Sequence, residues 1–289
     1  MRSVVIIPTL GRSGLADRLL AHLEKQSRRP DEVVVSTSDD AEPSQATSRH
    51  FKVTHIRGSK GLCAQRNRAL EYALPRSDIV TFFDDDFLPS NHYLEELLEV
   101  FQAQPGWAAI MGDVIRDGAQ GAGLTFEEGL AHLETAAQVR PPPDVVLHPG
   151  LYGCNMSFRS RDIGQTRFDE RLALYGWQED IDFSSRLRSH GLLVSLKSLT
   201  GVHLGFKSGR VSGYRLGYSQ IVNPIYLLLK GTMSARFACG LMARNLAANA
   251  VRSVRPESYI DRRGRLRGNL LGLLHVMTGR VEPEHITRL

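Results

Sequence analysis

Short runs of β-branched and aromatic residues alternate with helical patterns through the first 115 residues. The predicted strands are residues 4–7, 32–36, 51–56, 78–83 and 107–114. Helical patterns with one apolar stripe follow the first strand and recur at residues 62–74 and 93–101. This alternation is typical of βαβ units, so we predict an α/β fold with a mainly parallel, mixed sheet flanked by helices.

The second part of the chain is less regular. Residues 116–144 begin with glycines and end in three prolines, which predicts an excursion from the sheet. Regular structure resumes at 153–158, followed by a helix from about Asp180 to His190 and a strand at 192–196, and the pattern is helical after His203. We therefore divide the chain into a domain at 1–210, with halves 1–115 and 116–210, and a helical C-terminal extension at 211–289.

The composition narrows the class of protein. With 42% hydrophobic and 23% charged residues, the 289-residue chain is typical of a globular protein rather than a disordered or collagenous one. Cys63, Cys154 and Cys239 lie too far apart in sequence for a zinc pair or a redox pair, which fits a reducing cytoplasm. No segment reaches the roughly 18 uninterrupted apolar residues of a spanning helix. We expect a cytoplasmic protein.

The charge is distributed unevenly along the chain. Residues 1–203 carry a net charge of −5, whereas residues 204–289 carry +10. The basic tail, with arginines at 262, 263, 265 and 267 followed by leucines, predicts peripheral attachment to the anionic inner face of the cell membrane. A solvated helical face is the alternative. The few aromatic residues in this region argue against nucleic acid as a partner.

Three consecutive carboxylates, Asp84, Asp85 and Asp86, directly follow the apolar strand at 78–83. In an open α/β sheet, ligands bind beyond the carboxyl ends of the strands. Clustered carboxylates there repel one another unless a cation neutralises them, and their hard oxygens suit Mn²⁺ or Mg²⁺ holding a diphosphate. An acidic turn that caps the next helix is the alternative.

A second acidic group, Glu179 and Asp180, stands at the start of a predicted helix. Asp180 lies next to the apolar stripe of that helix, so its carboxylate is a candidate general base. The alternative is a capping box with solvated charges.

Five cationic or titratable side chains are further candidates for the ligand site. Arg66 lies within the apolar stripe of its helix and therefore either reaches the surface or faces a phosphate or carboxylate. Arg12 follows the first strand, where a ligand is expected, although an ordinary loop arginine is the alternative. His203 is a candidate metal or diphosphate contact, and Lys207 and Arg210 add positive charge after it.

Five segments are considered together: 5–12 (VIIPTLGR), 61–67 (GLCAQRN), 84–86 (DDD), 153–158 (GCNMSF) and 179–180 (ED). In order and spacing, they resemble the inverting glycosyltransferases of family 2, which have the GT-A fold and in which the acidic triplet is the DxD motif. Residues 218–230 also resemble the segment that follows the catalytic core in bacterial polysaccharide and rhamnosyl-type members.

The resemblance implies a metal-dependent transfer of a sugar, with inversion, from a nucleotide-diphosphate-sugar donor to a saccharide or polyprenyl-linked acceptor in cell-surface polysaccharide synthesis. It places the donor in half 1–115 and the acceptor in half 116–210. Asp180 is then the catalytic base, Asp86 and His203 bind the metal, and Trp177 and Glu179 lie on the acceptor side. The implied donor contacts are Pro8, Thr9, Arg12, Asp39, Arg66, Asp84 and Asp85.

The sequence departs from the family pattern after the second strand. Family members often have a nucleotide-recognising acidic pair there, whereas Asp39 and Asp40 come about two positions late. Two other hypotheses remain: a haloacid dehalogenase-like phosphatase that uses Asp84 as nucleophile, and a non-catalytic subunit that binds a sugar nucleotide.

Overall fold

Four parallel strands form one side of the sheet. The computed structural model describes residues 1–138, 144–206 and 212–289. These four strands are β1 (Ser3–Pro8), β2 (Glu32–Ser38), β3 (Lys52–Gly58) and β4 (Ile79–Phe82), in the order β3-β2-β1-β4. Helix α1 (Ser13–Leu23) follows β1, and α2 (Leu62–Ala73) follows β3.

The two helices cover opposite faces of this part of the sheet. Alternate residues of a strand point to opposite faces. Val5 and Ile7 of β1 pack in the core that contains the leucines of α1, whereas Val4 and Ile6 pack in the core that contains Leu70 of α2. Because both faces are covered, β1 is buried along its whole length, as its unbroken apolar run predicts.

The rest of the sheet mixes parallel and antiparallel pairs. Its elements are β5 (Phe87–Pro89), α3 (Tyr93–Ala103), β6 (Trp107–Asp117), α4 (Phe126–Ala137), β7 (Val145–Leu147), β8 (Met156–Arg159), α5 (Ser160–Ile163), α6 (Glu179–Arg186) and β9 (Leu192–His203). The order continues from β4 as β8-β6-β9-β5, and β7 pairs with β9. The α/β class with a mixed sheet is confirmed. The mainly parallel character is also confirmed, because the four parallel strand pairs within the described residues contain more paired residues than the four antiparallel ones.

Two strands are longer than the sequence pattern predicted. β6 continues to Asp117 instead of residue 114, and β9 continues to His203 instead of residue 196. The two strands pair in parallel through several register shifts, the last of which leads to the pair Asp117 and His203. The sequence pattern did not predict these extensions, because their polar and glycine residues interrupt the apolar run while the strands remain paired.

The excursion predicted at 116–144 is partly regular. Residues up to 117 belong to β6, and α4 begins with a capping box in which Thr125 and Glu128 bond reciprocally. The prolines at 141–143, together with Lys207 and Arg210, lie outside the described residues, as does the domain boundary predicted at 210–211.

Three helices follow, as the basic tail predicted: α7 (Gly213–Lys230), α8 (Ala235–Arg252) and α9 (Arg262–Met277). Helices α7 and α9 approach closely at glycines, because a Cβ at Gly268 would lie 2.0 Å from the carbonyl oxygen of Tyr214. Lys230 of α7 bonds to Asp169 and Asp182, so the helices are ion-paired to the first part of the chain. None of the described helices is long and apolar enough to cross a membrane.

Candidate functional site

The ends of β1 and β4 lie side by side and bring together two predicted segments. Arg12 binds Asp85 through two nitrogens, at 2.6 and 3.1 Å, and the Thr9 hydroxyl donates to the same carboxylate at 2.6 Å. Asp85 is fully buried, and this burial raises its pKa to about 7 against the attraction of Arg12. Asp85 therefore fixes Thr9 and Arg12, whereas donor contact by Asp85 itself stays a prediction.

A carboxylate and imidazole cluster lies next to this pair. One ligand atom each from Asp84, Asp86 and His203 lies within 4.8 Å of the others, a group that can hold a metal ion. Burial disfavours the charged form of Asp86, but bonds from His203 and the Phe206 N–H, with the charge of Arg12, lower its pKa to about 2. Asp86 is therefore ionised at neutral pH.

The geometry around His203 fits a divalent cation. Its Nδ1 lies 2.9 Å from Asp117 Oδ1 and 3.2 Å from the Tyr152 hydroxyl, while its Nε2 faces Asp86 at 3.4 Å. Burial opposes protonation, yet the bonds to Asp117 and Asp86 raise the pKa of His203 to about 10. Nδ1 is held by a carboxylate and Nε2 is directed toward the acidic cluster, as in metal-binding histidines. A cation bound there would displace the Nε2 proton.

Arg66 connects the two acidic motifs. Its side chain is only 1% exposed, so it does not reach the surface. One terminal nitrogen donates to Glu179 at 2.5 Å, and the other donates to Asp84 at 2.9 Å and to the Gly153 carbonyl at 3.0 Å. Burial raises the pKa of Glu179 well above its ordinary value despite the attraction of Arg66. Arg66 thus binds carboxylates of the protein, and its predicted contact with a donor stays a prediction.

We expect Arg66→Met to lower the free energy of unfolding by about 3–5 kcal/mol, because it leaves Glu179 buried without its charge partner. Urea denaturation measures the change. Adding Glu179→Gln should recover part of the loss, and Arg49→Met, at an exposed position, should change the free energy by less than about 0.5 kcal/mol. Equal stability of Arg66→Met and the parent protein would contradict this bridging role.

Asp180 lies in the first turn of α6, and backbone N–H groups bind both of its carboxylate oxygens. Its Oδ2 accepts from the Gly153 N–H and its Oδ1 accepts from the Ile181 N–H, each at 2.8 Å. These bonds favour the ionised form, but burial has the larger effect and raises the pKa of Asp180. A carboxylate with a raised pKa and a fixed position is suited to general-base work.

The segment before α6 has unusual backbone geometry. Leu174 and Gln178 have φ angles of 58° and 71°, in the left-handed region that non-glycine residues seldom occupy. Tyr175 and Trp177 lie between them and stack with ring centroids 6.4 Å apart. The turn therefore presents two aromatic rings beside Asp180.

Two cavities meet at Asp84. The first, of about 610 Å³, is lined by Pro8, Thr9, Arg12, Asp40, Lys60 and the start of α7, among other residues. The second, of about 330 Å³, is lined by Arg66, Trp177, Glu179, Asp180 and His203, among others. Asp84, Leu62 and Tyr175 line both cavities, so the two spaces are adjacent. Volumes of this size are typical of small-molecule sites.

Residues 4–125 match the family model described as glycosyl transferase family 2. This part of the chain is a glycosyltransferase family 2 domain. The match favours glycosyl transfer over the phosphatase hypothesis. Among curated proteins, none matches the chain closely enough to count as a relative.

Solved structures confirm the GT-A fold for this chain. One is a mannosyltransferase from Pyrobaculum calidifontis, PcManGT, in complex with GDP-Man and Mn²⁺. It is 15% identical to this chain with a TM-score of 0.55, and the match covers 99% of this chain and 85% of the PcManGT chain. Residues 1–349 of S. aureus TarS give 15% identity and a TM-score of 0.58, covering 98% of this chain and 89% of that one. A longer TarS structure is 18% identical with a TM-score of 0.51, over 79% of this chain, which spans only 40% of that TarS chain.

The end of β2 explains why Asp39 and Asp40 come about two positions later than the acidic pair of the family pattern. The strand extends to Ser38, two residues beyond its predicted end, so Asp39 and Asp40 follow the strand directly. Asp40 lines the first cavity and pairs with Lys60 at 3.1 Å, whereas Asp39 is exposed and does not line it. Nucleotide recognition by Asp39 stays a prediction, and Asp40 is the better placed of the two.

Several residues of the site were not predicted from the sequence. Asp117 and Tyr152 contact His203, but only the unpredicted ends of β6 and β9 bring Asp117 beside it. Gln220, Asn245 and Arg265, from α7, α8 and α9, line the second cavity. No sequence motif assigns a role to these three polar residues, and only the packing of the helices brings them to the cavity.

Proposed function

We propose that the chain transfers a sugar, with inversion, from a nucleotide-diphosphate-sugar to a saccharide or polyprenyl-linked saccharide, in cell-surface polysaccharide synthesis. The observation that carries the proposal is the junction of two cavities at Asp84, with the metal-binding cluster and Asp180 beside it. The first cavity is large enough for the donor, and the second holds the predicted acceptor-side residues Trp177 and Glu179. PcManGT, solved with GDP-Man and Mn²⁺, supports this class of donor and metal.

In this proposal, Asp180 removes the proton from the acceptor hydroxyl. Inverting displacement needs the base on the side of the sugar opposite to the leaving diphosphate. Asp180 lines the second cavity but not the first, so it lies on the acceptor side. Glu179 and Arg66 act as positioning residues, because Arg66 holds the ED segment against Asp84.

Asp84, Asp86 and His203 would hold Mn²⁺ or Mg²⁺, since two carboxylates and an imidazole suit either cation. A divalent cation bound there would act as a Lewis acid for the leaving diphosphate. Arg12, paired with Asp85 and 3.5 Å from Asp86, adds a fixed positive charge to the wall of the donor cavity. Thr9 and Pro8 shape the same wall.

The C-terminal helices complete the acceptor cavity in this proposal. Within the described parts of the chain, Trp177 Nε1, Gln178 Oε1 and Asn245 Nδ2 are buried atoms without a hydrogen-bond partner, and their residues line the second cavity. Such groups are available to sugar hydroxyls. The unit 211–289 is therefore a functional part of the enzyme, although it follows the catalytic domain proposed at 1–210.

A donor screen tests the proposed function. We expect one nucleotide-diphosphate-sugar, added at about 100 times its Kd with Mn²⁺, to stabilise the protein by about 2.7 kcal/mol, because it binds only the folded chain. Thermal unfolding with uridine, deoxythymidine and guanosine donors measures this effect. Free sugars serve as the control, and a complete lack of stabilisation by every donor would contradict the proposal.

We also propose that the enzyme is cytoplasmic and attaches to the inner face of the membrane. The attaching surface contains fewer arginines than the sequence predicted. Arg262 is buried against Glu257, and Arg265 lines the acceptor cavity, which leaves Arg263 and Arg267 exposed. Leu270, Leu274 and Met277 of α9 are 52–77% exposed and share one helix face.

We expect the protein to co-sediment with vesicles containing anionic lipid at low salt, and binding to weaken as salt screens the charges. Leu274→Gln should reduce the bound fraction several-fold, while Ala243→Gln, at an exposed position of α8, should not. Failure to bind anionic vesicles at low salt would rule out this attachment.

A further inference from the structure

A third cavity, of about 660 Å³, lies outside the site described above, between the start of α8 and the segment around α6. Arg188, Arg236 and Arg244 line it, together with Met233 and Phe237. No acidic side chain is among the described residues that line it. We call this cavity the basic groove.

The three arginines of the groove have no internal counter-charge. Among the described residues, none of Arg188, Arg236 and Arg244 has a hydrogen-bond or ion-pair partner, although most arginines around the catalytic site are paired. Although all three are exposed, three guanidinium groups around one cavity raise its positive potential and favour an anion there. Guanidinium groups bind phosphate through paired, charge-assisted hydrogen bonds, so phosphate is the anion they suit best.

The start of α8 adds to the positive potential. Ser234 caps the helix by accepting from the Phe237 N–H, and the first turn contains no acidic residue. The unsatisfied N–H groups of a helix start favour anions. The helix end and the arginines thus act on the same cavity.

The groove also has an apolar part. Met233 is buried, Ile181 lines the wall, and Phe237 remains 41% exposed. Gly240 lies in the second turn of α8, where a Cβ would meet no atom within 4 Å, so the groove is open along this face of the helix. An exposed aromatic ring beside unpaired cations is suited to a ligand with both an anionic and an apolar part.

The groove adjoins the proposed acceptor cavity along two elements. Ile181 follows Asp180 in α6, and Arg244 precedes Asn245 in α8, with one member of each pair lining each cavity. We infer that the basic groove binds the phosphate of an amphipathic phosphate ester, with its apolar chain beside Phe237 and Met233. Its assignment as the lipid-phosphate part of the acceptor rests on the proposed function, whereas phosphate-ester binding itself does not.

Isothermal titration of the full chain with octyl phosphate, in EDTA and without donor, tests the groove independently of catalysis. We expect Arg236→Gln and Arg244→Gln each to weaken binding about tenfold or more, through loss of a charge-assisted contact. Arg49→Gln, at an exposed site outside the groove, should bind octyl phosphate as the parent protein does. Unchanged binding in both groove variants would overturn the inference.

Gly240→Leu provides a second test that keeps the charges. Its side chain has room at this position and should block the groove while the helix remains folded, so octyl phosphate binding should fall at least tenfold with no loss of melting temperature. Octyl glucoside should bind more than tenfold more weakly than octyl phosphate. Equal affinity for inorganic phosphate and octyl phosphate would identify free phosphate as the ligand and contradict the amphipathic one.

Because these titrations contain neither metal nor donor, their failure would leave the proposed glycosyl transfer unaffected. Conversely, octyl phosphate binding in a protein that takes no nucleotide sugar would support the groove and contradict the proposed function.

Discussion

Asp180→Asn should lower kcat by about a thousandfold and leave donor affinity within about twofold of the parent value. General-base catalysis contributes roughly 10²–10⁴ to rate, and asparagine cannot accept the proton from the acceptor hydroxyl. Asp180 lines the second cavity, the proposed acceptor side, and not the first one, so its loss should not disturb the donor. Turnover assays and donor titration measure the two effects separately.

The same residue predicts the acid limb of the pH profile. Burial raises the pKa of Asp180 above the ordinary aspartate value of about 3.9, so the base is protonated and inactive at the acidic end. Activity should therefore fall as pH decreases through this raised pKa, and the limb should lie above pH 4. Measurements of kcat against pH at saturating donor and acceptor report it.

Asp113→Asn, at an exposed carboxylate, is the matched control and should keep full turnover. Melting temperatures must accompany the assay, because asparagine can accept from only one of the two backbone N–H groups that bind Asp180. Unchanged turnover in Asp180→Asn would remove this residue as the base. It would also favour the non-catalytic subunit as the better hypothesis.

The parallel part of the fold was predictable because its signals are local. The strand β1 is an apolar run with both faces covered, and the acidic residues at 84–86 directly follow β4. Order along a parallel sheet then brings the strand ends together at one edge. Pro8, Thr9 and Arg12 could therefore be placed beside the acidic cluster without a structure.

The rest of the site depends on pairing between distant segments. Asp117 reaches His203 only because β6 and β9 run in parallel through several register shifts. Arg66 was recognised as misplaced in an apolar stripe, but its partners, 18 and 113 residues away, could not be read from spacing. Such contacts depend on tertiary packing, which cannot be read from the local spacing of residues along the chain.

The charge of the tail shows the same limit. Counting arginines predicted one basic surface, yet Arg262 pairs with Glu257 and Asn249, and Arg265 turns toward a cavity. Polar residues on three helices form a buried network in which Asn249 donates to Gln220 and Asn269. Net charge identifies an anionic partner as a class. It does not say which cations remain free to bind one.

Asp86→Asn should abolish Mn²⁺ binding and lower kcat by at least about a hundredfold. Asp86 is ionised, with a pKa of about 2, and it is the carboxylate that directly contacts His203 in the cluster. Asparagine keeps the shape but removes the charge that balances a divalent cation. Electron paramagnetic resonance of Mn²⁺ measures occupancy without any need for turnover.

Removal of the metal from the parent protein should have the same effect as this substitution. We expect EDTA to abolish activity and Mn²⁺ or Mg²⁺ to restore it, because in the proposed function the leaving diphosphate requires a Lewis acid. Asp40→Asn changes a carboxylate of the first cavity, which Asp84 also lines, but lies outside the cluster. This variant should keep its Mn²⁺ affinity, which separates metal binding from the general acidity of the cavity. If the parent protein is fully active in EDTA, Asp84, Asp86 and His203 form a structural ion-pair network, and Arg12 becomes the cation left to stabilise the diphosphate.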